Sequence, residues 1–248
     1  MNYKLAILGS MGPLATAKAF ELFITHTKAA CDGDHIPIMV FGDSSVPDRT
    51  CAIQGKGPSP VPTLVENLKL IESIGIQDVF IPCNTCHYYF DELQQSTSLH
   101  IINMVETTAR YVQTKYPGTA CYVLGTDGTV GGRVYERYFG ADTDFRRFTP
   151  EEQAVVMNAI YGIKNRGVSD GIVASVSRLL ADKTQAGGAV FILGCTELSV
   201  IKEQLQRLLP NAFLVDAMEV AVCATIQDLN YEIKDGSTDL DLPCLAGS

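Results

Sequence analysis

Apolar residues along this chain fall into short continuous runs, separated by longer stretches of helical period. Lys4–Leu8, Ile36–Phe41, Asp78–Pro82, His100–Asn103, Ala120–Leu124, Ala189–Leu193 and Phe213–Val215 read as strands. Runs that are continuous rather than alternating mark strands buried on both faces, as in a parallel sheet covered by helices. Helices are expected over Pro13–Ala30, Thr63–Ser73, Glu106–Lys115, Thr129–Phe139, Glu151–Lys164, Val168–Ala181, Thr196–Leu208 and Ala217–Leu229. Pro13 suits a first helical turn. Thr149-Pro150-Glu151-Glu152 combines an N-cap, a proline at the first position and acidic residues in the first turn. The fold class is α/β.

The alternation repeats itself. Leu8-Gly9-Ser10-Met11-Gly12 follows a strand in the first half, and Leu124-Gly125-Thr126-Asp127-Gly128-Thr129 follows one in the second. Each half later ends a strand in a cysteine: Val79-Phe80-Ile81-Pro82-Cys83-Asn84-Thr85 and Val190-Phe191-Ile192-Leu193-Gly194-Cys195-Thr196-Glu197. This predicts two pseudo-symmetric doubly wound lobes with mainly parallel central sheets and an interlobe active-site cleft. Residues 1–103 with 213–230 would form the first lobe, carrying Cys83, and 104–212 the second, carrying Cys195. Residues 231–248 read as a flexible acidic tail. Ligands of such sheets bind beyond the carboxyl ends of the strands, where these turns lie. Gly42–Pro62 is long and rich in Gly, Pro and Ser, which suits a functional lid.

Composition narrows the partners. With 248 residues the chain can bury sizeable cores, and no apolar stretch approaches a membrane span. The N-terminus carries no signal-peptide pattern, so a cytoplasmic location is expected. A formal charge of −9 without a Lys/Arg cluster argues against nucleic acid. An anionic substrate would need local cations. The eight cysteines are expected to be mostly reduced. Cys31, Cys121 and Cys223 look like small core residues; Cys51 lies in a loop and Cys244 in the tail.

Cys83 and Cys195 carry the chemistry. Two thiols on opposite lobes can address one carbon from opposite sides: a thiolate takes the Cα proton while the facing thiol returns one. Both precede helices, whose exposed N–H groups favour the thiolate. Those N–H groups, with Asn84, Thr85 and Thr196, could bind an α-carboxylate and stabilise a developing enediolate. Arg49 and Lys164 are candidate specificity cations, although a helix-terminal Lys and an Asp-Arg pair also have ordinary structural uses. Gly9-Ser10-Met11-Gly12-Pro13 lacks the dinucleotide-binding spacing and reads as a tight strand-to-helix turn near substrate. The Cys83-Asn84-Thr85-Cys86 spacing fits a redox pair or half a zinc site, but no second ligand pair accompanies it. His87 could tune Cys83 or sit satisfied in the core. Glu197 could set the Cys195 environment or cap its helix.

These residues resemble the pyridoxal-independent aspartate/glutamate racemase family, in its aspartate racemase branch, over about Lys4 to Leu229. The likeness rests on Gly9-Ser10-Met11-Gly12-Pro13-Leu14-Ala15-Thr16, Pro47-Asp48-Arg49-Thr50, Pro82-Cys83-Asn84-Thr85, Leu124-Gly125-Thr126-Asp127-Gly128-Thr129, Ile160-Tyr161-Gly162-Ile163-Lys164 and Leu193-Gly194-Cys195-Thr196-Glu197. It implies no cofactor and no metal, a homodimer, and catalysis by Cys83 and Cys195 on a small acidic amino acid. By the same likeness Asn84, Thr85, Thr126 and Thr196 hold the α-amino and α-carboxylate groups. Arg49 and Lys164 grip the distal carboxylate, and Met11 lines the pocket near the reacting carbon. Ser10 stands where relatives often have a second Gly, and Cys86 where they often have Ala.

The first expectation is therefore an aspartate racemase. Glutamate or broader specificity is the near alternative. A non-catalytic dicarboxylate-binding module and a Cys83–Cys86 redox protein are the other readings.

Overall fold

The computed structural model describes residues 3–185 and 188–234. The expected tail from 235 onward, Cys244 included, lies outside the described residues.

The first sheet contains β1 (Leu5–Gly9), β2 (Ile38–Gly42), β3 (Asp78–Phe80) and β4 (His100–Ile102). Between them run α1 (Pro13–His26), α2 (Arg49–Ile53), α3 (Val61–Ser73) and α4 (Phe90–Gln95). The linking helix α5 (Met104–Lys115) leads to β5 (Cys121–Val123), α6 (Asp127–Gly131), β6 (Phe145–Arg146), α7 (Pro150–Arg166), α8 (Asp170–Gln185) and β7 (Val190–Leu193). The chain closes with α9 (Thr196–Ser199), α10 (Lys202–Leu208), β8 (Phe213–Asp216) and α11 (Ala217–Asp228).

Both sheets are wholly parallel, with orders β2-β1-β3-β4 and β6-β5-β7-β8. Adding four to each number of the first order gives the second, so the duplication legible in sequence is a duplication of topology. The continuous apolar runs have the expected cause. Ala6 and Leu8 of β1 face one buried cluster with Leu64, Leu68 and Ile71 of α3, while Leu5 and Ile7 face another with Phe23 of α1. In β7, Val190 and Ile192 face one helical layer and Phe191 and Leu193 the other.

Local signals explain several ends. Thr149 and Glu152 form a reciprocal capping box with Pro150 at the first position of α7, which ends at Gly167 in the left-handed region (φ 81°). At the β1–α1 turn, a Cβ on Gly9 would lie 2.2 Å from the Thr16 side chain, so only glycine fits. Ser10 takes φ 68°, a conformation that costs a non-glycine residue free energy. Its N–H donates to Thr16 Oγ1 at 2.7 Å.

Several expectations are corrected. The strand Phe213–Asp216 pairs with β7 and belongs to the second sheet, not to the first lobe. Only α11 turns back, and it contributes Met218, Ala221, Val222 and Ile226 to the core around β1 and β3. The helix expected over Thr129–Phe139 stops at Gly131, because Gly132 and Arg133 (φ 52°) break it. The segment Thr196–Leu208 is two helices, not one. The loop Gly42–Pro62 contains α2, capped by the Asp48 side chain accepting from Cys51 N at 2.8 Å. Residues 231–233 are not loose: Ile233 bridges Thr27, and Lys28 N donates to Glu232 O at 2.8 Å. Cys31 is exposed rather than a core residue, whereas Cys121 and Cys223 are buried, and all seven described cysteines are free. Among the described residues, no helix is long and apolar enough to cross a membrane.

Candidate active site

The carboxyl ends of the two sheets meet at one small polar cavity of about 30 Å³. Met11, Arg49, Cys83, Asn84, Thr85, Thr126, Lys164, Cys195 and Thr196 all line it. Every site residue expected from the sequence is therefore brought to one place. The cavity also takes in Asp48, Thr50, Ile160, Tyr161 and Glu197.

The two cysteines occupy matching positions. Each is the N-cap of the helical segment after its strand, in extended backbone (φ −150°, ψ 101° for Cys83; φ −138°, ψ 127° for Cys195). In each case the carbonyl accepts from the N–H three residues on, from Cys86 at 3.1 Å and from Leu198 at 2.9 Å. Both cysteines line the cavity. They are equally sheltered, at 5% and 6% exposure.

Their electrostatic surroundings differ. The Cys195 Sγ donates to Glu197 Oε2 at 3.0 Å. Burial and then this carboxylate push the Cys195 thiol well above its ordinary range, outweighing the Glu197 backbone N–H that points at the sulfur. The expectation that a helix N-terminus favours the thiolate is thus reversed at Cys195. Cys83 instead lies beside the Arg49 guanidinium. Cys86 is buried with Cys83 in the same core, and burial raises its thiol strongly.

Arg49 is only 7% exposed and is braced by backbone: Nη1 donates to Pro47 O (3.0 Å) and Val46 O (3.3 Å), and Nη2 to Met11 O (2.7 Å). Its Nε has no partner. Asn84 is 2% exposed; its Oδ1 accepts from Tyr135 Oη at 2.5 Å, and its Nδ2 has no partner. Two buried donors without acceptors therefore line one cavity. Natively buried donors are almost always paired, so each marks a place for an acceptor from a ligand. Lys164 stands exposed at the mouth, its Nζ 5.9 Å from the Tyr161 ring centroid. Burial works to raise the Asp48 carboxyl, but Cys51 N–H, Arg49 and Lys164 together hold it below the usual range.

Hydroxyls stitch the lobes together. Thr85 Oγ1 lies 3.0 Å from Thr126 Oγ1 and 2.9 Å from Thr129 Oγ1, Thr50 Oγ1 donates to Thr126 Oγ1 at 3.2 Å, and Thr196 Oγ1 donates to Pro82 O at 3.2 Å. A Cβ on Gly128 would fall 2.9 Å from Thr50 and Thr85, so α6 seats directly on the first lobe. A Cβ on Gly12 would lie 2.8 Å from Glu197 Oε1, which brings that carboxylate against the β1–α1 turn.

His87 is a satisfied core residue. Met104 N donates to its Nε2 at 3.2 Å, so Nδ1 carries the proton and donates to Cys83 O at 2.9 Å. Burial lowers its pKa and keeps the ring neutral. Among the described residues no cluster of three or more His, Cys, Asp or Glu is placed to hold a metal.

Sequence reasoning passed over Tyr135, Tyr161 and Asp48 as site residues. Asp48 and Tyr161 lie inside motifs already singled out, Tyr161 one helical turn before Lys164. Tyr135 carried no signal: it fell inside the helix expected over Thr129–Phe139, which in fact ends at Gly131, before the tyrosine.

A family model described as Asp/Glu/hydantoin racemase matches residues 8–225. The chain is 23% identical over 216 residues to a broad-specificity amino-acid racemase of Bacillus subtilis, covering 83% of this chain and 90% of that one. A solved structure of Picrophilus torridus aspartate racemase superposes with a TM-score of 0.81 at 27% identity, covering 94% of this chain and 96% of the other. A glutamate racemase of Bacillus anthracis shares the fold at TM-score 0.67 and 15% identity, covering 92% and 82%.

Proposed function

Because the chain belongs to the Asp/Glu/hydantoin racemase family, we propose that it interconverts L- and D-aspartate by proton transfer between Cα and two cysteines, without pyridoxal phosphate. The observation that carries this reading is one cavity lined by Cys83 and Cys195 from opposite lobes, with contrasting partners.

At the start of a turnover Cys195, its proton held against Glu197, serves as the acid, which leaves Cys83 on the facing wall as the base. The Cys83 sulfur takes the Cα proton of one enantiomer as the C–H electron pair moves into the carboxylate. Cys195 then gives its proton to the opposite face of Cα. The product is the mirror image, and the sulfurs end with exchanged protonation, ready for the other enantiomer or for reset through solvent. Developing charge on the α-carboxylate is met by Asn84 Nδ2, a buried donor that water does not weaken. Lys164 and the free Nε edge of Arg49 face the distal carboxylate.

The test is incubation with L-aspartate in heavy water. Loss of optical rotation with Cα deuteration supports the reading; tight binding without exchange would favour a binding module instead. Racemisation surviving in Cys83→Ala or Cys195→Ala overturns the two-thiol scheme.

A broader amino-acid racemase is the second reading, favoured by one observation. Arg49 already spends three donor contacts on the carbonyls of Met11, Val46 and Pro47, leaving less for a distal carboxylate. The resemblance to a broad-specificity racemase points the same way. A panel of L- and D-amino acids in the same assay separates the two.

A further inference from the structure

We propose that Tyr135 is a positioning residue that fixes the side-chain amide of Asn84, so that Nδ2 and not Oδ1 faces the cavity and receives the substrate α-carboxylate. The inference rests on the cavity being the amino-acid site.

Tyr135 is fully buried, at 2% exposure, on the stretch between α6 and the 3-10 turn Glu136–Tyr138 of the second lobe. Asn84 follows Cys83 in the first lobe, so the 2.5 Å bond from Tyr135 Oη to Asn84 Oδ1 crosses between lobes. An asparagine amide can face either way, and its two ends have opposite hydrogen-bonding character. A phenol has one proton. With that proton on Oδ1, the amide NH2 points away from the tyrosine; it is buried and unpartnered, on a residue that lines the cavity. Flipping the amide would break the 2.5 Å bond to the phenol and turn a carbonyl oxygen toward an incoming carboxylate. The ring itself is held by Phe139 (centroids 6.5 Å apart, stacked), and the Thr108 hydroxyl lies beside the phenol oxygen. The tyrosine is thus rigid enough to dictate the amide's direction.

The consequence is specific to the hydroxyl. Tyr135→Phe keeps the ring and its packing while releasing the amide. Its kcat/KM for L- and D-aspartate should fall about tenfold, equally for both enantiomers, with an unchanged circular dichroism spectrum. The decisive readout is a double-mutant cycle with Asn84→Ala: once the amide is gone, adding Tyr135→Phe should change kcat/KM by less than twofold. A merely structural tyrosine would cost the same factor in both backgrounds, and that result overturns the proposal. So does a Tyr135→Phe enzyme within twofold of wild type. Asn84→Asp, which still accepts from Tyr135 but cannot donate, should behave like Asn84→Ala; full activity in that variant would equally overturn the role. A wild-type enzyme that racemises no amino acid sinks the underlying reading instead, so the two failures are distinguishable.

Discussion

Cys195 donates its thiol proton to Glu197 two residues on, at 3.0 Å, whereas Cys83 at the matching position has the Arg49 cation for a neighbour. The two sulfurs are equally buried, so the Cys195 thiol, raised by burial and by Glu197, should be the slower of the two toward an alkylating agent. Limited treatment with iodoacetamide near neutral pH should modify Cys83 at least ~10-fold faster than Cys195, with exposed Cys31 as an internal reference. Glu197→Gln should narrow that ratio and lower kcat by ~10–100-fold, at or below the low end of what a general acid–base group itself contributes. Peptide mass spectrometry reads the first; equal labelling of the two sulfurs in wild type would contradict the assignment.

The seat of α6 on the first lobe makes a second prediction. Gly128→Ala forces a methyl to within 2.9 Å of Thr50 Cα, a backbone atom, and of the Thr85 methyl. The lobes must part, and the thiols with them. We expect kcat/KM to fall by at least ~10-fold, since sub-ångström misplacement of reacting groups is costly. Gly131→Ala is the control, with nothing within 4 Å of its added carbon. Matched losses in the two variants would show that helix propensity, not lobe contact, is responsible.

Specificity should divide between the two cations. Lys164 is exposed and supports little of the fold, so Lys164→Met should raise the KM for aspartate about 10-fold. Its melting temperature should stay within ~2 °C of wild type. Arg49→Ala removes the donor to three carbonyls and should cost about 2–3 kcal/mol of stability as well. Urea denaturation alongside steady-state kinetics separates the effects. Unchanged KM for aspartate in Lys164→Met would favour the broader specificity.

Acid should weaken the fold through His87. Burial lowers its pKa from 6.5 in the native state, so the unfolded chain binds the proton first. The contribution is complete above about pH 6.5 and is lost as pH falls below it, at up to ~1.4 kcal/mol per pH unit. His26, lowered chiefly by burial, acts in the same direction. His100, raised by its bond to Asp78, acts oppositely, adding stability below its unfolded pKa that is lost as pH rises. Between pH 7.5 and 5.5 the wild-type urea midpoint should drop further than that of His87→Gln. Parallel pH dependences would exclude His87 as the cause.

Much of the site was legible because strand-end chemistry is local. Cys83-Asn84-Thr85 and Cys195-Thr196-Glu197 each follow a continuous apolar run, and parallel strands put such residues at one edge. The sheet assignment of Phe213–Asp216 was not legible, because a lone strand before a helix carries no local sign of which neighbour it pairs with; β7 settles it. The missing β6 is two residues long and half-exposed, too short to leave a pattern. Tyr135 was hidden for a different reason. Its use depends on a partner 51 residues away in the other lobe, and nothing near it in sequence announces that contact. The thiol of Cys195 shows the limit of reasoning from helix ends: burial and one carboxylate outweigh the N-terminal field.

The last helix has a consequence for how this molecule comes apart. Residues of α11 sit in one buried cluster of each lobe, Met218 and Val222 in the first, Val220 and Cys223 in the second. Neither half can melt without stripping a side of that helix bare to water. Heating should therefore produce one calorimetric peak rather than two, and severing the chain between the halves should leave neither fragment able to stand alone.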